Sequence, residues 1–191
     1  MRDRTAVLMC ATFQRELERI LGSEGMDTVD ALPMPTKCHK PSGNHSSIHS
    51  DCINKAKQKY GAIHIFRSGC GFGEEDRLPN DDRCFLHTER LCFYMLAERD
   101  IVDSLLLDGA YLLSSGWLSR WKFYMADWGM EREMAIEFFA ESARKLVLLD
   151  TMVDKDSQRH LDELADFVRL PSDSVPVGLD FFRDYIRARL V

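Results

Sequence analysis

The sequence predicts an α/β fold with an open, mostly parallel sheet, helices on both sides and a helical insertion. Two observations support this prediction. Short apolar runs with strand character alternate with amphipathic stretches, and such alternation is typical of βαβ units with a parallel sheet. Between about residues 85 and 143 the pattern is helical and rich in aromatic residues, which is too long for a simple crossover. We therefore expect one domain, residues 1–191, with a helical insertion at about 85–143.

The elements follow in order from these patterns. The first apolar run leads into a helix in which Phe13, Leu17 and Leu21 recur every four residues and share one face. A loop rich in Pro, Gly, Ser and His follows the second strand, and a Gly-Cys-Gly turn follows the third. Strands are predicted at residues 5–10, 28–34, 62–66 and 145–150. Helices are predicted from residue 11 to 22, 50 to 60, 131 to 144, 157 to 168 and 179 to 190.

Composition limits the classes of function. A chain of 191 residues can bury about 70% of its unfolded surface as one domain. Its formal net charge of −6 argues against nucleic-acid binding, which needs a basic face. No apolar run approaches the roughly 20 residues that span a bilayer, and the first residues lack a secretory apolar core. We expect a soluble cytoplasmic protein that binds neither nucleic acid nor membrane.

The cysteine usage favours metal or redox chemistry over a disulfide framework. Thiols in a cytosolic protein with an ample core are more often buried, catalytic or metal-bound than paired. The six cysteines are Cys10, Cys38, Cys52, Cys70, Cys84 and Cys92.

Several cysteines and one histidine follow predicted strands. Cys10 ends the first strand, Cys38 and His39 follow the second, and Cys70 follows the third. Ligands of open parallel sheets bind outside the carboxyl ends of the strands, so these residues are expected at one edge. Cys84 is close enough in sequence to Cys70 for the connecting loop to add a fourth ligand. Three thiolates and one imidazole form a zinc site, and thiolates also suit an iron–sulfur cluster.

Each of these residues also has a structural interpretation. Cys10 lies in an apolar run and could be a small buried side chain, whereas the glycines beside Cys70 favour function. Cys52 and Cys92 are interpreted as packing residues, since both lie in predicted helices. His64 alternates with isoleucines and is expected on a sheet face, and His87 is a reserve ligand.

The segment GAYLLSSGWLSRWKFYMADWG is unusually rich in aromatic side chains. Such a stripe usually packs in a core. The functional alternative is a lid that excludes water, with Tyr111, Trp117 or Trp121 lining a pocket.

Several segments together resemble the uncharacterised DUF1638 domain family, over about residues 5 to 170. The resemblance rests on the opening strand with Cys10, Arg15-Glu16-Leu17, the step from His39 to Pro41, YGAIHIFRSGCGFG, Cys84, GAYLLSSGWLSRW, and LVLLDT at Leu146 to Thr151. It implies a role beside corrinoid-dependent methyl-transfer systems or sensor modules, with a corrinoid or methyltransferase protein as partner. It also implies that Cys10, His39, Cys70 and Cys84 are the site residues.

Three functions fit these observations. The first is a metal-binding accessory or sensory protein with zinc or an iron–sulfur cluster, linked to corrinoid or one-carbon metabolism. The second is an enzyme in which zinc activates a thiol for methyl transfer. The third is a structural α/β domain with buried thiols and no metal. The sequence by itself does not separate the enzyme from the other two.

Overall fold

The structure is a computed structural model that describes residues 3–35, 46–69 and 81–190, with only the backbone described for residues 46–48. The chain forms two compact units, Met1–Cys92 with Arg183–Val191, and Phe93–Phe182. The strands are β1 Thr5–Cys10, β2 Val29–Met34, β3 Ala62–Ser68, β4 Cys84–Glu89, β5 Ala110–Ser114, β6 Lys145–Asp150 and β7 Ser172–Pro176. The helices are α1 Gln14–Ser23, α2 Ser46–Lys57, α3 Arg99–Leu107, α4 Ser115–Leu118, α5 Trp121–Asp127, α6 Arg132–Ser142, α7 Ser157–Val168 and α8 Asp180–Leu190. Short 3₁₀ helices occupy Ala11–Phe13 and Cys92–Met95.

The first unit contains a four-stranded sheet in the order β2-β1-β3-β4, and all its strand pairs are parallel. One face of this sheet packs on α2, because β1, β2 and β3 all place apolar side chains on that side. The cluster on this face consists of Ala6, Leu8, Met34, Ile53, Ala56, Ile63 and Ile65. The opposite face carries His64 and Phe66, and Phe66 contacts Tyr185 of α8 with ring centroids 6.1 Å apart. Side chains alternate between the two faces of a strand, which explains this separation.

The second unit contains a three-stranded parallel sheet in the order β5-β6-β7. Its core is large and aromatic, and α4, α5, α6 and α7 all contribute to it. The buried residues are Leu113, Trp117, Leu118, Trp121, Tyr124, Met125, Ala135, Phe139, Leu146, Leu148, Leu161, Leu164, Ala165 and Val168. Trp117 and Trp121 are only 4% and 5% exposed, so both indole rings belong to the core, as the usual interpretation of such a segment predicts.

The predicted fold class is confirmed, since both sheets are parallel and flanked by helices. The strands form two sheets, however, where the sequence predicted one. The expectation of a helical segment throughout 85–143 is wrong, because it contains most of β4 and all of β5. The sequence pattern does not indicate β4, because its apolar residues Phe85 and Leu86 are adjacent and lie on opposite faces of an edge strand. Among the described residues, no helix is long and apolar enough to cross a membrane.

Candidate functional site

The carboxyl edge of the first unit's sheet collects polar side chains from the strand ends and adjoining helices. Cys10 is the last residue of β1 and is partly buried. Its Sγ atom lies 3.2 Å from Oγ1 of Thr12, and either atom can donate this hydrogen bond. Thr12 is itself buried, so the thiol has a polar neighbour that is shielded from solvent.

Two further buried polar residues occupy the beginnings of helices near this edge. Glu16 lies in the first turn of α1 and is 1% exposed, and His49 lies in the first half of α2 and is 5% exposed. A helix that follows or precedes a parallel strand in a βαβ unit begins at the carboxyl edge, so both residues belong to this region. Buried carboxylates and imidazoles are rare in cores, which makes this edge chemically unusual. Glu16 enters the sequence prediction only as part of the Arg15-Glu16-Leu17 segment. The prediction that His49 is solvated in a polar loop is wrong, because His49 lies in α2 and is buried.

The structure separates Cys84 from Cys10. Cys84 is the first residue of β4 and pairs with Ile63, which in turn pairs with Ala6. Cys84 is therefore level with Ala6, four residues before Cys10 and two strands away. With a rise of about 3.3 Å per residue and about 4.8 Å between strands, the two residues are roughly 16 Å apart. Thiolates that share a zinc ion each lie about 2.3 Å from it, so this distance excludes a shared ion.

The environment of Cys84 is that of a packing side chain. It contacts the apolar cluster beneath α2, and burial raises the pKa of its thiol, with a smaller opposing effect from Lys57. A thiol in such surroundings has the character of a buried apolar side chain, and its distance from Cys10 separates it from the carboxyl edge. Cys84 therefore leaves the predicted ligand set. Cys52 also packs against this cluster, as the sequence interpretation expected.

The other predicted ligands, His39 and Cys70, lie outside the described residues, as does Cys38. Within residues 3–35, 46–69 and 81–190, no group of three His, Cys, Asp or Glu side chains could hold a metal ion.

His64 and His87 form a pair on the sheet face opposite α2. Nδ1 of His64 lies 3.0 Å from Nε2 of His87, and the ring planes differ by 10° with centroids 5.2 Å apart. The two ring planes are nearly parallel, and the short N···N distance brings the edges of the rings together. The geometry suits a direct N–H···N hydrogen bond. His64 lies on a sheet face, as the alternation with isoleucines predicted.

The protonation of this pair follows from its hydrogen bonds. A hydrogen bond to the backbone of Arg189 favours the charged form of His64, so His64 is the donor and the carbonyl accepts. A neutral imidazole has one donor and one acceptor, so the Nδ1 atom of His64 accepts from Nε2 of His87. Burial lowers the pKa of His64, and burial together with the nearby charges of His64 and Arg189 lowers the pKa of His87 to about 4.

A charged group lies next to this pair at the carboxyl end of β4. The hydroxyl of Tyr185 donates to Oε1 of Glu89 at 3.2 Å, and Nη2 of Arg189 lies 3.9 Å from the same oxygen. The Arg189 guanidinium also stacks on the Tyr185 ring, 3.5 Å from its centroid. The α8 helix is thus held to β4 by polar contacts. The alternation of Phe85, His87 and Glu89 would have indicated this shared face, but the segment was interpreted as a helix.

The second unit also has polar residues at the carboxyl edge of its sheet. Ser115 and Ser157 are each 1% exposed, and neither Oγ atom has a hydrogen-bond partner among the described residues. Met152, just after β6, has a positive φ of 61° and donates its N–H to Oδ1 of Asp150 at 2.8 Å. Backbone strain in a residue other than glycine often accompanies a functional edge. Both resemblance segments, the one that contains Ser115 and the one that contains Asp150, therefore include residues at this edge.

The chain belongs to the family described as "Protein of unknown function (DUF1638)", whose model matches residues 45–186. The predicted resemblance is thereby confirmed, although the matched range begins after Cys10 and His39. No curated protein and no solved structure matches the chain.

Proposed function

We propose that this member of the DUF1638 family is a metal-binding protein that holds zinc, or alternatively an iron–sulfur cluster, at the carboxyl edge of its first sheet. The proposed ligands are the thiolates of Cys10 and Cys70 and the imidazole of His39. The observation that carries the proposal is the position of Cys10 as the last residue of β1, partly buried and at the edge where parallel sheets bind ligands.

The described strand ends support the inclusion of His39 and Cys70. β2 ends at Met34 and β3 ends at Ser68, and both strands pair with β1 in parallel. Cys70 is therefore two residues beyond one neighbouring strand end, and His39 is five residues beyond the other. Short separations from adjacent carboxyl ends keep both side chains within reach of the same edge, since each residue spans at most about 3.6 Å.

The surroundings of Cys10 fit a bound thiolate. A thiolate accepts hydrogen bonds, and Thr12 has a hydroxyl 3.2 Å from Sγ that can donate one. Outer hydrogen bonds of this kind orient metal ligands and tune their basicity. Zinc bound here would supply a Lewis acid that keeps a thiolate available at neutral pH.

The role that we propose for this site is accessory or sensory, in corrinoid or one-carbon metabolism, with a corrinoid or methyltransferase protein as partner. This part of the proposal rests on the family resemblance. Co-purification with a corrinoid protein, lost in a Cys10→Ser variant, would support it.

The position of Cys84 favours a second candidate function. Without Cys84 the proposed set has three protein ligands, which is the number that catalytic zinc sites use while they keep one position open. An open position could accept an external thiol, as a methyl-transfer enzyme requires. Zinc coordination measured by X-ray absorption, with and without added thiol, separates the two candidates, because only an open site gains a sulfur ligand.

The test of metal binding is elemental analysis and visible spectroscopy of protein purified without oxygen. We expect about one equivalent of zinc and no visible absorption, whereas an iron–sulfur cluster would give a coloured protein. Cys10→Ser and Cys70→Ser should each lose the metal, because a serine hydroxyl is a poor ligand at neutral pH.

Cys84→Ser provides a matched control, since it removes a thiol from the opposite end of the same sheet. It should retain the full metal content. Wild-type protein that contains no metal and takes up none on titration would contradict the proposal. Loss of metal in Cys84→Ser together with its retention in Cys10→Ser would also contradict the proposal, because the site would then lie at the amino end of the strands.

A further inference from the structure

A small pocket in the second unit lies between the turn that joins α4 to α5 and the first half of α7. Its volume is about 250 Å³. Pockets for drug-sized ligands measure about 300–1,000 Å³, so this one suits an ion or a small metabolite. The side chains that matter in its wall are Arg120, Trp121, Lys122, Arg159, His160 and Glu163.

The wall of this pocket is cationic in a protein whose formal net charge is −6. Arg120, Lys122 and Arg159 line the pocket beside one carboxylate, Glu163. Asp156, outside the lining, also pairs with Arg159 at 3.3 Å, so the group keeps a formal surplus of one positive charge. Glu163 accepts from Nη1 of Arg159 and from Nζ of Lys122, each at 2.8 Å. The carboxylate therefore holds two cations in place without neutralising the pocket.

Two hydrogen-bond donors in the wall lack partners. Trp121 is 5% exposed, and its buried Nε1–H has no hydrogen-bond partner among the described residues. Nη2 of Arg159 lies 3.2 Å from Nε2 of His160, and because arginine only donates, Nε2 must accept. A neutral His160 then carries its proton on Nδ1, which is also buried and has no partner within the described part of the chain.

Unsatisfied donors are unfavourable. A buried donor without an acceptor loses the hydrogen bond that water would provide, so two of them beside one pocket favour a ligand rich in acceptor oxygens. Bidentate arginine contacts are also well suited to oxyanions.

We propose that this pocket binds the phosphate group of a small molecule. A phosphate monoester carries about −1.5 to −2 charges at neutral pH, and the net positive charge of the wall attracts such a group. Its oxygens accept from the guanidinium groups of Arg120 and Arg159 and from the ammonium group of Lys122. Small adjustments of Trp121 and His160 bring their N–H groups to the remaining oxygens. The site is independent of the proposed metal site, which lies in the first unit.

Calorimetric titration at low ionic strength tests this proposal, with inorganic phosphate and glycerol phosphate as separate ligands. Arg159→Gln and Lys122→Gln should each weaken binding about tenfold, since each removes one charge-assisted hydrogen bond. Trp121→Phe retains the contact with Phe167, whose ring centroid is 5.1 Å away, and removes only the N–H donor. It should also weaken binding.

Arg132→Gln is the matched control. Arg132 lies in the same unit, 3.4 Å from Asp166, and does not line the pocket. It should leave the affinity unchanged. Tighter binding of glycerol phosphate than of inorganic phosphate identifies an ester as the ligand, and equal binding identifies the free ion. The absence of binding to the wild type, or equal weakening by Arg132→Gln and Arg159→Gln, would overturn the proposal.

Discussion

The hydrogen-bonded pair His64 and His87 should make the first unit lose stability when the pH falls below neutral. Both imidazoles have a lowered pKa in the folded protein, and that of His87 is about 4, against 6.5 for an ordinary histidine. Between these two values the unfolded chain binds more protons than the folded chain. Stability from this source is therefore fully present above about pH 6.5 and is lost as the pH falls toward 4.

The charges around the pair indicate why protonation is unfavourable there. Burial is the largest cause of the lowered pKa of His87, and the charges of His64 and of Arg189 on α8 lower it further. Glu89 of β4 is engaged by the hydroxyl of Tyr185. Each pKa unit corresponds to about 1.4 kcal/mol, but His87 is only partly buried and solvent screens its charge. We expect a loss of about 1–2 kcal/mol in the free energy of unfolding.

The assay is urea unfolding of wild type and of His87→Gln between about pH 7.5 and about pH 4.5. Glutamine can still donate a hydrogen bond to His64 but does not titrate. The wild type should lose about 1–2 kcal/mol more than the variant over this range. Thr88→Val serves as control, because it changes the opposite face of the same strand and should follow the wild-type profile. Equal losses in wild type and His87→Gln would refute the reasoning.

Two further predictions concern packing. Cys84→Ala should lower the free energy of unfolding by about 1 kcal/mol, because it leaves a small cavity beside the α2 cluster. The metal content should stay unchanged. Chemical unfolding measures the stability, and elemental analysis measures the metal. Phe139→Ala should lower the stability of the second unit by about 3–5 kcal/mol, because Phe139 is fully buried. Leu107→Ala, at a side chain that is 86% exposed, should change it little. Similar losses in the last two variants would contradict the described core.

The parts of the fold that the sequence predicted well have strong local signals. β1 and β6 were predicted with their observed bounds, because each is a continuous apolar run buried on both faces. The helix at 157–168 was also predicted with its observed bounds, from the apolar face formed by Leu161, Leu164 and Phe167. These elements depend little on distant contacts, so their patterns were sufficient.

The elements that the sequence missed are edge strands or short strands. β4 and β7 lie at the edges of their sheets, where the side chains are mostly polar or exposed and the alternation is weak. β5 lies inside the stretch predicted as a helical insertion, and its apolar run is short because Gly109 precedes it and two serines end it. Without β5 and β7, the sequence offered no second sheet, and the strand at 145–150 was assigned to the first.

The candidate site shows the same dependence on strand register. Ligands gather at the carboxyl ends of parallel strands. The sequence prediction places Cys84 at that edge only because Cys84 is close to Cys70 in the chain, and it assigns no strand to Cys84. Once Cys84 begins a strand, the same rule excludes it, because the first residue of a parallel strand lies at the opposite edge from the last. Cys10 satisfies the rule by its observed position. The proposed metal site therefore depends on Cys10 and on His39 and Cys70, which follow the neighbouring strands. Removing any one of these three side chains should abolish metal binding, whereas removing the Cys84 thiol should not.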